Sequence, residues 1–215
     1  NRMEFSKETR RIAIERMQDR QLDLLIIGGG ITGAGVALQA AASGMETALI
    51  EMQDFAEGTS SRSTKLVHGG LRYLKQFDVE VVSDTVSERA VVQNIAPHIP
   101  QPDPMLLPVY DEPGSTFSLF RLNVAMDLYD LLAGVNNTAM ATKVLTKEAV
   151  IEREPNLKQE GLIGGGVYLD FRNNDARLVF ENIKRAAKDG ALIASRVKAE
   201  KFIKDESGKV IGIVA

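Results

Sequence analysis

The stretch Asp23–Glu51, DLLIIGGGITGAGVALQAAASGMETALIE, reads as strand, tight turn, helix, turn and strand. Leu24 to Ile27 form a continuous apolar run, the pattern of a strand buried on both faces. Gly28, Gly30 and Gly33 fit G-x-G-x-x-G. In that pattern the first glycine permits the turn, the second lets backbone approach a pyrophosphate, and the third lets the helix pack close to the strand. The helix is built of small residues (Ala34, Gly35, Ala37, Ala40, Ala41, Ala42), and its N-terminus turns unpaired N–H groups and a positive dipole end towards the phosphates. Gly44 ends it, and Thr47 to Ile50 returns as a second strand. Glu51 closes that strand, where a carboxylate can accept hydrogen bonds from a ribose diol and would repel a 2′-phosphate, so NADP is disfavoured. A glycine triplet alone would fit an ordinary strand–turn–helix. The strand before it, the helix, the second strand and the terminal acid together specify a dinucleotide site, without separating FAD from NAD.

The rest of the composition bounds the chemistry. The 215 residues are 44% hydrophobic and 26% charged with a net charge of -3, an ordinary globular balance with length for one or two domains. There is no cysteine, which excludes a disulfide, a thiolate zinc site and a cysteine nucleophile, and fits a cytoplasmic protein. No apolar run approaches the roughly 18 residues of a membrane span. The polar N-terminus does not read as a signal peptide, and Met3 reads as the natural start, with Asn1 and Arg2 added before it. The near-neutral charge makes no case for nucleic acid, and no metal site is expected.

A second informative stretch follows Glu51. From Gly58 to Phe77 there is no acid, although Asp and Glu make up 29 of the 215 residues. The same window carries Arg62, Lys65, His68, Arg72 and Lys75, with hydroxyls at Thr59, Ser60, Ser61, Ser63 and Thr64 and glycines at Gly69 and Gly70. Cations, hydroxyls and N–H groups without carboxylates suit a phosphate-rich ligand; the plainer alternative is a basic surface loop.

The glycine stretch GGGITGAG, Glu51, and above all TSSRSTKLVHGGLRYL with the later YLDFRNNDARLV, resemble the FAD-dependent glycerol-3-phosphate dehydrogenase and oxidase family, most strongly its α-glycerophosphate oxidases. The resemblance covers essentially the whole chain. It implies FAD as cofactor and an α/β fold: a Rossmann-like FAD-binding domain of the glutathione-reductase/D-amino-acid-oxidase type with an inserted α+β substrate cap. Residues 1–22 would form an N-terminal helical arm, 23–97 and 171–215 an incomplete FAD domain, and 98–170 the cap. Because family members are two to three times longer, the chain is expected to be an N-terminal portion. For cofactor binding the resemblance implies Gly28, Gly30, Thr32, Gly33, Glu51, Thr59, Ser60, Ser61, Lys65, Leu66, His68, Gly69 and Val197.

For catalysis it implies His68, Arg72 and Tyr73. Oxidising a secondary alcohol needs a hydride acceptor, a group for the hydroxyl proton and an anchor for the substrate's anion. Arg72 can hold a phosphate bidentately; His68 can take a proton near neutral pH or orient the substrate as a donor; Tyr73 can offer a hydroxyl. The implied substrate is sn-glycerol 3-phosphate, oxidised to dihydroxyacetone phosphate, with dioxygen (giving hydrogen peroxide) or a membrane quinone as acceptor. The quinone form leaves peripheral membrane contact open. An amino-acid or amine oxidase on the same fold, or an FAD-binding fragment without turnover, are the other readings.

Elsewhere the periodicity predicts helices over Ser6–Gln18, Asp78–Ile95, Phe117–Leu132, Thr146–Arg153 and Asp175–Lys188. Strands are predicted over Met105–Tyr110, Leu162–Phe171, Ala191–Ser195, Val197–Lys204 and Lys209–Ala215. The prolines at 97, 100, 102, 104 and 108 are expected to break regular structure, and His98 among them to be structural or exposed.

Overall fold

The computed structural model describes residues 5–71, 73, 78–113, 118–134 and 141–215. In chain order the elements are α1 (Lys7–Asp19), β1 (Leu24–Ile27), α2 (Ile31–Ala42), β2 (Thr47–Glu51), a 3-10 turn (Thr59–Ser61), β3 (Leu66–Val67), α3 (Val79–Ile95), β4 (Gln101–Tyr110), α4 (Leu119–Ala133), β5 (Lys143–Thr146), α5 (Lys147–Arg153), β6 (Leu162–Arg172), α6 (Asp175–Lys188), β7 (Leu192–Ser195), β8 (Lys201–Lys204) and β9 (Val210–Val214). They form two compact units, one of residues up to Lys65 with those from Asn174, the other of Leu66–Asn173. The expected edges were 97/98 and 170/171. The structural edges fall elsewhere because β3 pairs with β6 and α3 packs on α4, which ties residues from 66 onward to the second unit. The N-terminal arm, α1, packs on β7 in the first unit.

The first unit is a parallel sheet, β1-β2-β7, with Leu24 opposite Thr47 and Ala48 opposite Leu192. Alternation of strands with helices is the pattern that produces such sheets. Ala34, Ala37 and Ala41 of α2 share a core with Val179, Ile183 and Ala186 of α6 and Leu49 of β2. Alanines on α2 bring the two helices close, and fully burying a side chain such as Ile183 contributes about 1.5–3 kcal/mol. Asn174 caps α6 by accepting from the Arg177 amide. On β1 the expectation of burial on both faces fails at Ile27, which is 51% exposed. Of the expected strand Val197–Lys204 only Lys201–Lys204 is extended and paired; it forms a hairpin with β9, closed where Asp205 accepts from the Ser207 and Lys209 amides.

In the second unit β6 is the spine. It pairs antiparallel with β4 along its length and with β3 and β5 on its other edge. The prolines do not break β4. Pro102, Pro104 and Pro108 sit at alternate positions opposite Phe171, Leu169 and Gly165. Alternate residues turn their N side the same way, so all three can face the edge of β4 that has no partner strand among the described residues, where no ladder bond is lost. Leu122 and Met126 of α4 pack down on the sheet at Gly166, where an added Cβ would stand 2.0 Å from the Met126 methyl. Its Tyr129 is buried too, whereas Phe120 is 78% exposed, so only one face of α4 meets the core expectation. Phe117 lies outside the described residues. His98 is exposed.

Candidate functional site

In the first unit the chain leaves β1 into the glycine turn. Gly28 has φ +115°, a conformation L side chains rarely adopt, and its N–H donates to the Ile50 carbonyl at 2.8 Å. A Cβ on Gly33 would stand 2.0 Å from the Gly28 carbonyl oxygen, so only glycine lets α2 begin so close to the strand. A Cβ on Gly30 would meet only Ser60 Oγ, at 3.1 Å, and one on Gly28 would meet open space. Gly30 is the N-cap of α2 and supplies no side-chain cap; Ser60 Oγ accepts from the Ile31 amide at 2.9 Å. The other amides of the first turn, Thr32 and Gly33 among them, have no acceptor within the helix, the arrangement that suits an anion.

Glu51 ends β2 beside the turn. One carboxylate oxygen accepts from the Gly29 amide at 2.7 Å and the other from the Gln53 amide at 2.8 Å. A carboxylate has about four lone-pair sites, so both oxygens retain capacity for a diol. Val197 is half-buried at the same strand end, its amide donating to the Glu51 carbonyl at 2.9 Å. A helix N-terminus without a side-chain cap of its own, a close-packed glycine turn and a terminal carboxylate fit an adenine dinucleotide.

The hydroxyl-rich loop is less free than its composition implies. Ser63 Oγ donates to Asp175 at 2.5 Å and accepts from the Lys65 amide at 2.9 Å. Lys65 Nζ donates to the Ser61 carbonyl at 2.8 Å and lies 3.9 Å from Asp175. Arg62 faces Glu57 at 3.5 Å. The acids missing from the window are supplied by a residue just before it and by another 110 or so positions later, so the expectation of cations unopposed by carboxylates is corrected for Arg62 and Lys65. Thr59 is exposed, Ser60 and Ser61 half-buried.

In the second unit Leu66 belongs to β3, opposite Arg172. His68 follows β3 and is exposed, and its Nδ1 accepts from the Gly70 amide at 3.1 Å. A neutral imidazole accepting at Nδ1 carries its proton on Nε2. Gly69 and Gly70 are buried beneath it. Tyr73 is half-buried, its amide donating to the Gly70 carbonyl at 2.8 Å. Arg72 lies outside the described residues.

Beneath His68 lies a cluster the sequence reading did not single out. Asp170 and Arg89, 3% and 5% exposed, form a buried ion pair at 3.0 Å. Arg89 also donates to the Leu169 carbonyl at 2.9 Å and to Tyr129 Oη at 2.6 Å, and its guanidinium lies 4.7 Å from the Phe171 ring centre. Burial pushes the Tyr129 phenol far above its ordinary range. The only advance signals were Arg89 on the apolar face of a predicted helix and Asp170 at the end of an apolar run. Among the described residues no group of three or more His, Asp or Glu could hold a metal ion, and no helix is long and apolar enough to cross a membrane. A groove of about 800 Å³ between α1, α6 and β7 is lined by none of the glycine-turn residues.

Comparison with known proteins gives a consistent set of likenesses. Residues 23–215 match the family described as FAD dependent oxidoreductase. The chain is 83% identical over 213 residues to the alpha-glycerophosphate oxidase of Streptococcus pyogenes serotype M1, covering 99% of this chain and 35% of that protein. It is 66% identical over 211 residues to that of Enterococcus casseliflavus, covering 98% and 35%. Among solved structures it resembles the glycerol-3-phosphate dehydrogenase from Bacillus halodurans complexed with FAD, at TM-score 0.72 and 40% identity over 98% of this chain and 33% of that one. The chain thus spans about a third of the length of the relatives it matches.

Proposed function

The chain belongs to the FAD-dependent oxidoreductase family, and from that premise we propose that the protein containing it oxidises sn-glycerol 3-phosphate to dihydroxyacetone phosphate. The single observation that carries the substrate is the strong identity to the streptococcal alpha-glycerophosphate oxidase along nearly the whole chain.

FAD when bound supplies the hydride acceptor. In this reading the α2 N-terminus, with the amides of Gly30, Thr32 and Gly33, holds the pyrophosphate. Glu51 holds the adenosine ribose and Val197 flanks the adenine. Thr59, Ser60, Ser61, Lys65, Leu66, His68 and Gly69 belong to the segment that continues along the cofactor. Arg72 anchors the substrate phosphate through a two-point guanidinium contact. Tyr73 adds a hydroxyl. His68 meets the substrate oxygen through Nε2. The overall change removes a hydride from C2 and a proton from the C2 hydroxyl, leaving a ketone; the proton passes to solvent, and one proton joins the two electrons and the hydride's hydrogen at the acceptor. The electrons pass to dioxygen, giving hydrogen peroxide, in a cytoplasmic enzyme. A quinone acceptor is the alternative.

The test is the visible spectrum of the whole protein under anaerobic conditions. Addition of sn-glycerol 3-phosphate should bleach the flavin bands, and admitting air should restore them with stoichiometric peroxide. Bleaching by an amino acid and not by glycerol 3-phosphate would overturn the substrate. Reoxidation by a quinone but not by air would overturn the acceptor.

A further inference from the structure

Resting on the proposed role of His68, we propose that the buried Arg89–Asp170 pair is a positioning device for that histidine. By fixing the Gly69–Gly70 backbone it makes Nδ1 an acceptor and leaves Nε2 as the nitrogen that presents a proton to the substrate.

The β3–β6 ladder ends at the pair Val67–Phe171. The next residue on β6 is Asp170, which stays paired with Asp103 of β4, while the chain of β3 peels away at His68. Beyond the ladder it is the Asp170 side chain that holds the departing strand: Oδ1 accepts from the buried Gly69 amide at 2.8 Å. That same oxygen receives Arg89 at 3.0 Å and lies 3.3 Å from Tyr129 Oη. Thr85 Oγ1 stands 3.0 Å from the Gly69 carbonyl, an acceptor it shares with those of Val81 and Val82. A Cβ on Gly69 would fall 2.1 Å from Tyr129 Oη, so the loop is seated directly on the cluster. Gly70 then takes φ +72° and turns its amide back onto Nδ1 of His68.

A buried ion pair is a poor way to stabilise a core. Apolar residues of the same volume often do as well or better, and removing one partner alone leaves an unpaired charge. What the pair supplies here, and an apolar pair could not, is an acceptor for one amide and donors for the Leu169 carbonyl and Tyr129. Fixing which ring nitrogen accepts is how proteins set a histidine's tautomer. A histidine so held offers Nε2 to the substrate oxygen.

The experiment uses the full-length holoenzyme labelled with ¹⁵N-histidine, the His68 signals being assigned by their loss in His68→Gln. In the wild type Nδ1 should be unprotonated and Nε2 protonated. The opposite tautomer, or a fast mixture, overturns the proposal without any variant of the cluster. Two charge-balanced double variants then separate positioning from stability. Arg89→Gln/Asp170→Asn keeps an acceptor for Gly69 and should retain the tautomer and most of the rate of flavin reduction. Arg89→Met/Asp170→Leu removes that acceptor; it should bind FAD normally, lose the fixed tautomer and slow flavin reduction by sn-glycerol 3-phosphate about 100-fold, the effect of misplacing a group by roughly 1 Å. Equal rates in both, or a fixed tautomer in the second, overturn the role of Asp170. If the apolar pair fails to fold, the wild-type tautomer and the amide pair decide. The nitrogen readout needs no substrate, so a wild type that glycerol 3-phosphate does not reduce sinks the substrate assignment and leaves this proposal to its own test.

Discussion

Replacing Glu51 by alanine should damage the protein in two separable ways, because its carboxylate holds two backbone amides and, in the proposed function, the cofactor's ribose as well. Towards the fold, it accepts from the buried Gly29 amide at 2.7 Å and the Gln53 amide at 2.8 Å. The Gln53 residue is exposed, so water can replace the carboxylate there. Gly29 is buried, and an added Cβ at that position would already touch Phe55 at 2.8 Å, so little room exists for a substitute. An unsatisfied buried amide costs about 1–3 kcal/mol, and the apoprotein should lose about that much. Towards the cofactor, the lost bonds to a ribose diol are charge-assisted, about 1.5–3 kcal/mol, or roughly ten- to a hundredfold in Kd for FAD. Glu51→Gln should fall between, since its amide offers one acceptor and places an N–H₂ against the other donor. The assays are urea unfolding of the apoprotein and titration of the same preparation with FAD. Lost stability with an unchanged Kd would refute the ribose contact. A weaker Kd with unchanged stability would refute the anchoring of the glycine turn.

Three further outcomes are expected. Gly33→Ala places a methyl 2.0 Å from a backbone oxygen that cannot rotate away, so α2 must shift; a loss of about 1–3 kcal/mol in thermal unfolding, with little FAD retained on purification, should follow. Arg72→Ala should lower kcat/KM for glycerol 3-phosphate by about two to three powers of ten, with Arg72→Lys recovering only part. FAD content should be normal and any slow activity on glycerol little changed, and equal losses on both substrates would remove the phosphate-anchor role. Burial raises the Tyr129 phenol above its ordinary value. The unfolded chain ionises first, near pH ~10, so stability is full below that and falls as pH rises beyond it. Urea midpoints measured from about pH 8 to 11 should show this fall in the wild type and a shallower one in Tyr129→Phe.

The first unit was largely legible in the sequence because its determinants are local. The strand–glycine–helix–strand order, Gly28 with its positive φ, Gly33 under the Gly28 carbonyl and Glu51 at the strand end lie within 29 consecutive residues. Helix ends were legible for the same reason: Ser6, Asp78, Thr146 and Asn174 each accept from an amide three residues on. What local pattern could not carry was the role of an edge. Prolines at 102, 104 and 108 argue against a strand until it is known that β4 has a neighbour on one side only among the described residues. The short strands β3 and β5 had no signal of their own, since each borrows its conformation from β6.

The hydroxyl loop and the His68 loop show why composition misleads at a site. Counted along the chain, Gly58–Phe77 is a cationic segment free of acids. In space its residues meet carboxylates delivered by distant strands and helices: Asp175 at Ser63 and Lys65, and Asp170 at Gly69. The two acids sit five residues apart in YLDFRNNDARLV, at the end of β6 and the start of α6. That motif meets TSSRSTKLVHGGLRYL twice, once within each unit, across about a hundred residues of sequence. Each acid takes hold of the loop at a different point, one by a serine hydroxyl and a lysine, the other by a glycine amide. What the window lacks in its own carboxylates it receives from a second segment, and the charge left over for an anionic ligand is smaller than the window alone implies. In the proposed function, phosphate recognition therefore rests more on the helix N-terminus and on Arg72, where the substitutions above will measure it.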